Sequence, residues 1–347
     1  MQNQNKYIID PDISIARTLH SDYYTDNLIF IDSVNNIFRS SWQLVGHKEE
    51  LKNNNIIPIK ILPNEPLILT QDQSGLYCMS NACTHRGHLV CNKKTNSRSM
   101  VCRYHGRSFN LNGKLKKAIG FEGVKNFPLD SDNLENININ EWKNFLFVSL
   151  ENKLSISNIL NDMGTRLSSF PFNQLIYSEE LSKTYEINAH WALYCENYLE
   201  GFHVPFVHKG LSKEINNETY DTILLDNGVL QYANSKDKKN NIYGYYYWIF
   251  PNIMFNFYDW GLSINIVEPI SKEKTKVKFL SYLIEDNQPT RQAISDLNTV
   301  ELEDQEVVKS VQSGIKSTLY SNGRYSKINE KGVHYFHTLL TKFISKY

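Results

Sequence analysis

The sequence predicts an α+β chain of two domains: a small all-β unit, then an antiparallel sheet packed on one long helix. Three observations predict it. Short strand-like runs separated by turn residues fill the region from Trp42 to Leu150. A second series of strand-like runs occupies 181–285, and a single long amphipathic stretch from about Arg291 to Leu319 follows it. At 347 residues the chain is long enough for two domains with a core each.

The elements follow in order. Residues 1–40 mix a short helical stretch with Tyr23, Tyr24, Ile29, Phe30 and Ile31, and form a segment expected to pack on the second domain. The first domain is expected over 41–150. Its strands are read at Ile56–Ile61, 66–70 and 76–79, with a turn at 71–75, and Phe145 opens its closing strand. The second domain, 151–347, opens with a strand at 181–187 that leads through His190 and Trp191 into a helix. Antiparallel strands are then expected at 220–225, 229–233, 245–250, Ile253–Tyr258, 262–268 and 275–285, with Asp226-Asn227-Gly228 and Pro251-Asn252 as turns. Residues 237–241 read as a polar, mobile loop.

Composition excludes several classes. Lys+Arg and Asp+Glu are 37 each, so a net charge of zero gives no electrostatic case for nucleic acid or an anionic membrane. The N-terminus has no apolar signal core, and no window approaches about 18 apolar residues, so a soluble cytoplasmic protein without a membrane span is expected. With 21 Tyr and 17 Phe the chain can furnish an apolar pocket as well as a core. Four of the five cysteines, Cys78, Cys83, Cys91 and Cys102, crowd one stretch, which without an export signal favours metal over disulfides.

Two loops of the first domain carry that chemistry: Cys83-Thr84-His85-Arg86-Gly87-His88 and Cys102-Arg103-Tyr104-His105-Gly106-Arg107. Each offers one thiolate and one imidazole. Two Cys and two His suit tetrahedral zinc, although zinc fingers usually pair like with like along the chain. They also suit a [2Fe–2S] cluster in which two Cys hold one iron and two His the other, and two similar loops meet that requirement by symmetry. Gly87 and Gly106 let the backbone turn tightly beside such a cluster. His88 reads as a loop residue, and Cys78 and Cys91 as ordinary buried thiols.

In the second domain, Glu196 to His208 holds two carboxylates, an amide and two histidines. On one continuous helix Glu196, Glu200 and His203 share a face, while His208 lies about 140° further round. Pro205 is expected to end the helix and turn the imidazoles together. Such a stretch is half a metal site or a buried helix end. Asp304 supplies the other half: on a helical wheel Leu297, Val300, Val308, Val311 and Ile315 flank it, so it faces the core. A buried carboxylate must be protonated, capped, paired with a base or bound to metal. Glu301, Glu303 and Glu306 are expected to be solvated. Two His and one carboxylate match the facial triad that leaves sites open for dioxygen on Fe(II), and the same ligand types also suit hydrolytic zinc.

The loop motifs, together with His203, His208 and Asp304 in that order and spacing, resemble the Rieske non-haem iron oxygenases from about Trp42 to His337. That resemblance implies an N-terminal Rieske domain, a C-terminal helix-grip catalytic domain, a [2Fe–2S] cluster on Cys83, His85, Cys102 and His105, and Fe(II) on the triad. It further implies that Glu200 links His105 of one protomer to His203 of the next in a homotrimer, with Asn197 in support. The chain shows no nicotinamide or flavin motif, so electrons are expected from a separate NAD(P)H-dependent reductase, directly or through a ferredoxin. Glu at position 200 resembles the choline, carnitine and betaine oxygenase branch, where arene enzymes typically carry Asp. The aromatics Tyr245 to Trp248, Phe250, Phe255, Phe257, Tyr258 and Trp260 fit a methylated ammonium as well as a core. The expected activity is O2-dependent hydroxylation or N-demethylation of a small quaternary ammonium compound. An oxygenase for arenes or other apolar substrates and a pure electron carrier are the alternatives. His190 departs from the Asn expected before Trp191.

Overall fold

A computed structural model describes residues 7–236, 242–285 and 291–344. The loop expected at 237–241 lies outside the described residues. The chain divides into two compact units, Phe38–Leu154 and the remainder, Met1–Ile37 with Ser155–Tyr347.

Helices α1 (Asp22–Thr25) and α2 (Asn27–Ser40) come first. The smaller unit then holds β1 (Gln43–His47), α3 (Glu50–Asn53), β2 (Ile56–Ile61), β3 (Glu65–Asp72), β4 (Gly75–Ser80), β5 (Met100–Val101), β6 (Ser108–Phe109), β7 (Leu115–Lys117), β8 (Asn138–Trp142) and β9 (Phe145–Ser149). They form three antiparallel sheets in the orders β1-β9-β8, β2-β3-β4 and β5-β6-β7. Alternation along β2, β3 and β4 sorts their side chains onto two cores. Ile57, Leu67, Leu69 and Cys78 join Leu146 and Val148 on one side. Ile56, Ile68 and Met79 join Cys83, Val90, Met100, Cys102 and Phe109 on the other. The two loop cysteines are therefore rooted in a core, while the chain beyond each emerges from it.

In the larger unit α4 (Ser157–Arg166) precedes β10 (Leu175–Ile187), α5 (Trp191–Tyr198), α6 (Val204–Val207) and α7 (Leu211–Glu214). The strands β11 (Asp221–Leu225), β12 (Gly228–Asn234), β13 (Ile242–Ile249), β14 (Ile253–Tyr258), β15 (Gly261–Ser271) and β16 (Lys274–Ile284) follow, then α8 (Arg291–Ile315) and α9 (Lys331–Leu340). The seven strands form one antiparallel sheet in the order β10-β16-β15-β14-β13-β12-β11. This is the expected α+β arrangement. The N-terminal segment up to Ile37 belongs to this unit: a backbone β-bridge joins Arg17 and Arg324, and Lys272 Nζ donates to the Thr25 carbonyl at 2.8 Å.

Several expectations are corrected. The helix over Glu196–His208 is broken: α5 ends at Tyr198, and residues 199–203 turn before α6. The Glu200 carboxylate makes that turn, because Oε2 accepts from the backbone N–H groups of Phe202 and His203, the latter at 3.0 Å. A carboxylate so placed satisfies donors that a continuing helix would have used. Pro205 does not end the helix; it stands in the first turn of α6, where its missing N–H costs nothing. Helix α8 stops at Ile315 rather than Leu319, with Ser317 N–H turning back to the Gly314 carbonyl and Leu319 exposed.

The buried stripe of α8 runs through Glu301, Gln305, Val308, Gln312 and Ile315, so Asp304 lies at its margin and not at its centre. Val311 is exposed, and the Leu297 side chain lies outside the described residues. A hydrophobic wheel misjudged this helix because its buried face is largely polar and hydrogen-bonded.

Candidate metal centres and cavity

The two loops of the smaller unit are built alike. Gly87 N–H donates to the Cys83 carbonyl at 2.9 Å, and Gly106 N–H to the Cys102 carbonyl at 3.0 Å. Cys83 N–H returns to the His88 carbonyl and Cys102 N–H to the Arg107 carbonyl, each at 2.9 Å. Gly87 and Gly106 have φ of 70° and 74°, in the left-handed region that a side chain disfavours. The loops bring the rings of His85 and His105 to 4.6 Å between centroids. Cys83 and Cys102 are buried, whereas His105 is exposed. Burial first, then the neighbouring Cys102, raises the Cys83 thiol pKa. Burial, then His105 and two arginines, lowers that of His85.

This donor set fits a [2Fe–2S] group. His85 Nδ1 is buried without a hydrogen-bond partner, an orphaned atom that a metal bond would satisfy. Arg107, which sequence reasoning passed over, braces the pair of loops. It is buried, donates to Thr84 Oγ1 at 2.9 Å and lies over the rings of Phe121 and Phe127 at 4.8 and 5.3 Å. His88 is exposed, with its Nδ1 2.7 Å from the Leu89 carbonyl. Cys78 is a buried thiol pushed up to about 12 by burial; Cys91 is only half-buried and raised to about 11 by the same cause.

In the larger unit His203, His208 and Asp304 converge, with all ligand atoms within 4.8 Å of one another. His203 Nε2 stands 3.1 Å from His208 Nε2 and 3.5 Å from Asp304 Oδ1, and His208 Nε2 stands 3.0 Å from the same oxygen. The opposite ring nitrogens are held by carboxylates: His203 Nδ1 by Glu200 Oε1 at 2.6 Å, His208 Nδ1 by Glu303 Oε2 at 2.8 Å. An imidazole that donates through Nδ1 presents its Nε2 lone pair, so two lone pairs and a carboxylate face one point. A divalent cation satisfies that constellation, and the ligand set suits iron.

Glu303 is therefore not a solvated acid, contrary to expectation, and neither is Glu301. Glu301 is buried, accepts from Tyr194 Oη at 2.6 Å and Gln305 Nε2 at 2.8 Å, and is pushed up to about 7, chiefly by burial. Glu306 is exposed as expected. Glu196 turns away from the metal ligands, to Tyr24 Oη at 2.7 Å and His337 Nε2 at 3.1 Å.

Close packing fixes the turn that carries Glu200 and His203. A Cβ at Gly201 would stand 2.5 Å from the Tyr220 ring, and one at Gly332 of α9 would collide with the Leu199 carbonyl oxygen. His190 caps α5: its Nδ1 accepts from Ala192 N–H at 3.2 Å, which is the job an Asn would do. Complete burial lowers its pKa to about 3.

A cavity of about 700 Å3 opens beside these ligands. Asn197, Glu200, Glu301, Glu303 and the three convergent residues line it, together with Tyr198, Tyr220, Tyr243, Tyr246, Tyr258 and Trp260. Tyr258 stacks on Trp260 at 5.1 Å and meets Tyr246 edge-on at 5.9 Å. Burial raises the phenol pKa values of Tyr198, Tyr220, Tyr246 and Tyr258, so these rings are neutral. Of the aromatics singled out from sequence, Tyr247, Trp248, Phe250, Phe255 and Phe257 are instead core. On β14 the period of two separates Phe255 and Phe257 from Tyr258, but on β13 Trp248 shares parity with the cavity residue Tyr246 and is core, so sequence alone does not say which aromatics reach the cavity.

Comparison with known proteins places these observations. The Rieske [2Fe-2S] domain family matches residues 41–128, and the family described as the catalytic domain of the ring hydroxylating alpha subunit matches residues 224–346. The chloroplastic choline monooxygenase of Arabidopsis thaliana is 28% identical over 95% of this chain and 84% of its own length. The carnitine monooxygenase oxygenase subunit of Escherichia coli (strain K12) is 28% identical over 94% of each chain. Among solved structures, the quaternary ammonium Rieske monooxygenase CntA bound to an inhibitor superposes with a TM-score of 0.81, at 25% identity over 96% of this chain and 97% of that one. Naphthalene 1,2-dioxygenase shares the fold, with a TM-score of 0.74 at 15% identity over 99% of this chain and 95% of that one. Among the described residues no helix is long and apolar enough to cross a membrane. With a Rieske [2Fe–2S] domain and a mononuclear-iron catalytic domain on one polypeptide, the chain belongs to the Rieske-type ring-hydroxylating oxygenases.

Proposed function

We propose that this oxygenase acts on a small quaternary ammonium compound, hydroxylating it or removing an N-methyl group. The observation that carries this reading is the cluster Tyr198, Tyr220, Tyr243, Tyr246, Tyr258 and Trp260 in the cavity that His203, His208 and Asp304 also line. Neutral aromatic faces attract a methylated ammonium without neutralising it, at about 0.5–2 kcal/mol per ring. Glu303 adds negative potential to the same wall. The relatives named for choline and carnitine support the same chemistry.

In this reading His203, His208 and Asp304 hold the iron, and Cys83, His85, Cys102 and His105 hold the cluster. When bound, the iron supplies dioxygen activation and the cluster supplies electrons one at a time. Glu200 and Glu303 fix the tautomers of His203 and His208 and keep both Nε2 atoms aimed inward. We assign Glu200 the further role of linking His203 to the exposed His105 of a neighbouring protomer in a homotrimer, with Asn197 on the cavity wall in support. The solved structure of a related enzyme described by its inter-subunit electron transfer supports this. A separate NAD(P)H-dependent reductase, directly or through a ferredoxin, would feed the cluster.

The test is NADH oxidation with a compatible reductase in the presence of choline, L-carnitine, γ-butyrobetaine or naphthalene. Stimulation by a trimethylammonium compound is expected. Stimulation by naphthalene alone moves the enzyme to the apolar-substrate class.

A further inference from the structure

We infer that Lys183 is a carboxylate anchor, so that the site prefers a quaternary ammonium compound bearing a carboxylate over one that ends in a hydroxyl or alkyl group. The inference rests on the quaternary-ammonium reading above. Leu181, Lys183 and Tyr185 line the cavity from alternate positions of β10. The register of β10 against β16 shifts between Ser178 and Lys183, a bulge of the kind that re-aims side chains beside active sites. Lys183 Nζ is held by the neutral Asn298 Oδ1 at 2.6 Å, and no carboxylate pairs with it among the described residues.

Other lysines of the same sheet do not share that isolation. Lys274 pairs with Glu186, and Lys276 and Lys278 with Glu268. An ammonium has three donors, so Asn298 leaves two of them for a ligand. Lys213, the other lysine on the cavity wall, is exposed.

The placement suits a zwitterion. Asn298 precedes Asp304 by six residues on α8, about 9 Å along the axis at 1.5 Å per residue. A short ω-trimethylammonio carboxylate lying along α8 would put an N-methyl group near Asp304 and its carboxylate at Lys183. Choline offers that end no carboxylate.

Calorimetry with γ-butyrobetaine and its carboxyl-free analogue butyltrimethylammonium tests this on the holoenzyme. Wild type should bind γ-butyrobetaine more tightly. Lys183→Met should weaken γ-butyrobetaine about tenfold or more, the scale of a lost charged hydrogen bond, and leave butyltrimethylammonium unchanged. Lys183→Arg should recover much of the lost affinity. Unchanged butyltrimethylammonium binding also shows that the Met variant keeps its cavity. Equal loss for both ligands, or for neither, overturns the anchor alone. A wild-type enzyme that binds neither ligand overturns the quaternary-ammonium reading, and the anchor with it.

Discussion

His208 Nδ1 lies 2.8 Å from Glu303 Oε2, while its Nε2 faces Asp304 Oδ1 at 3.0 Å. One residue of α8 thus orients the ring and its sequence neighbour meets the opposite edge. His203 is oriented in the same way by Glu200, three residues before it. Each histidine therefore carries its own carboxylate on the side away from the convergence point.

Removing Glu303 should loosen His208 without unfolding α8, because the Glu303 side chain is itself 36% exposed. Glu303→Ala is expected to lower iron affinity or turnover by about 10–100-fold, the usual cost of losing a carboxylate behind a ligating imidazole. Competition with a chelator measures the affinity. Retention of iron and turnover at wild-type levels would remove Glu303 from the site.

Glu200→Gln keeps one acceptor oxygen, for His203 Nδ1, but puts an amide NH2 where Oε2 meets the N–H groups of the turn and removes the charge. Both metals should remain bound, while turnover falls by about tenfold or more. Single-turnover kinetics locate the loss: with the cluster pre-reduced, its reoxidation should slow. Reoxidation at the wild-type rate would exclude Glu200 from electron transfer.

His190 makes stability depend on pH. Its folded-state pKa, about 3, lies below the ordinary value of 6.5, because burial disfavours the charged ring. Between those values the unfolded chain binds the extra proton, so stability is fully present above about pH 6.5 and is lost as pH falls. From pH 6.5 to 5 the loss is about 2 kcal/mol from this one group. His190→Asn keeps a cap for the Ala192 N–H but does not titrate, so its denaturation midpoint should fall less over that interval. Equal slopes for both proteins would show that another group carries the dependence.

Much of this structure is legible in the chain. Ile56–Ile61 and Ile253–Tyr258 were readable to the residue, because turn residues bound each run on at least one side. Strand β10 was readable only from 181 onward, since the irregularity between Ser178 and Lys183 breaks the alternation before it. The convergence of His203, His208 and Asp304 followed from ligand types and spacing even though the helix expected to carry two of them is broken. The roles of Glu301 and Glu303 were hidden for a physical reason. Hydrophobic periodicity reports contact with an apolar core, whereas Glu301 and Gln305 face hydrogen-bond partners and Asn298, Glu303 and Asp304 face the cavity. Lys183 was invisible for the same reason: nothing local says that a lysine on a strand lacks an acid.

Metal analysis of the purified holoenzyme tests whether His203, His208 and Asp304 hold an iron of their own. One iron per chain is expected beyond the two of the cluster, and an Asp304→Ala variant should lose that one iron while its Rieske absorption is unchanged. A wild-type chain holding only the cluster's iron, or a variant that keeps the additional iron or loses the cluster with it, would contradict that iron site.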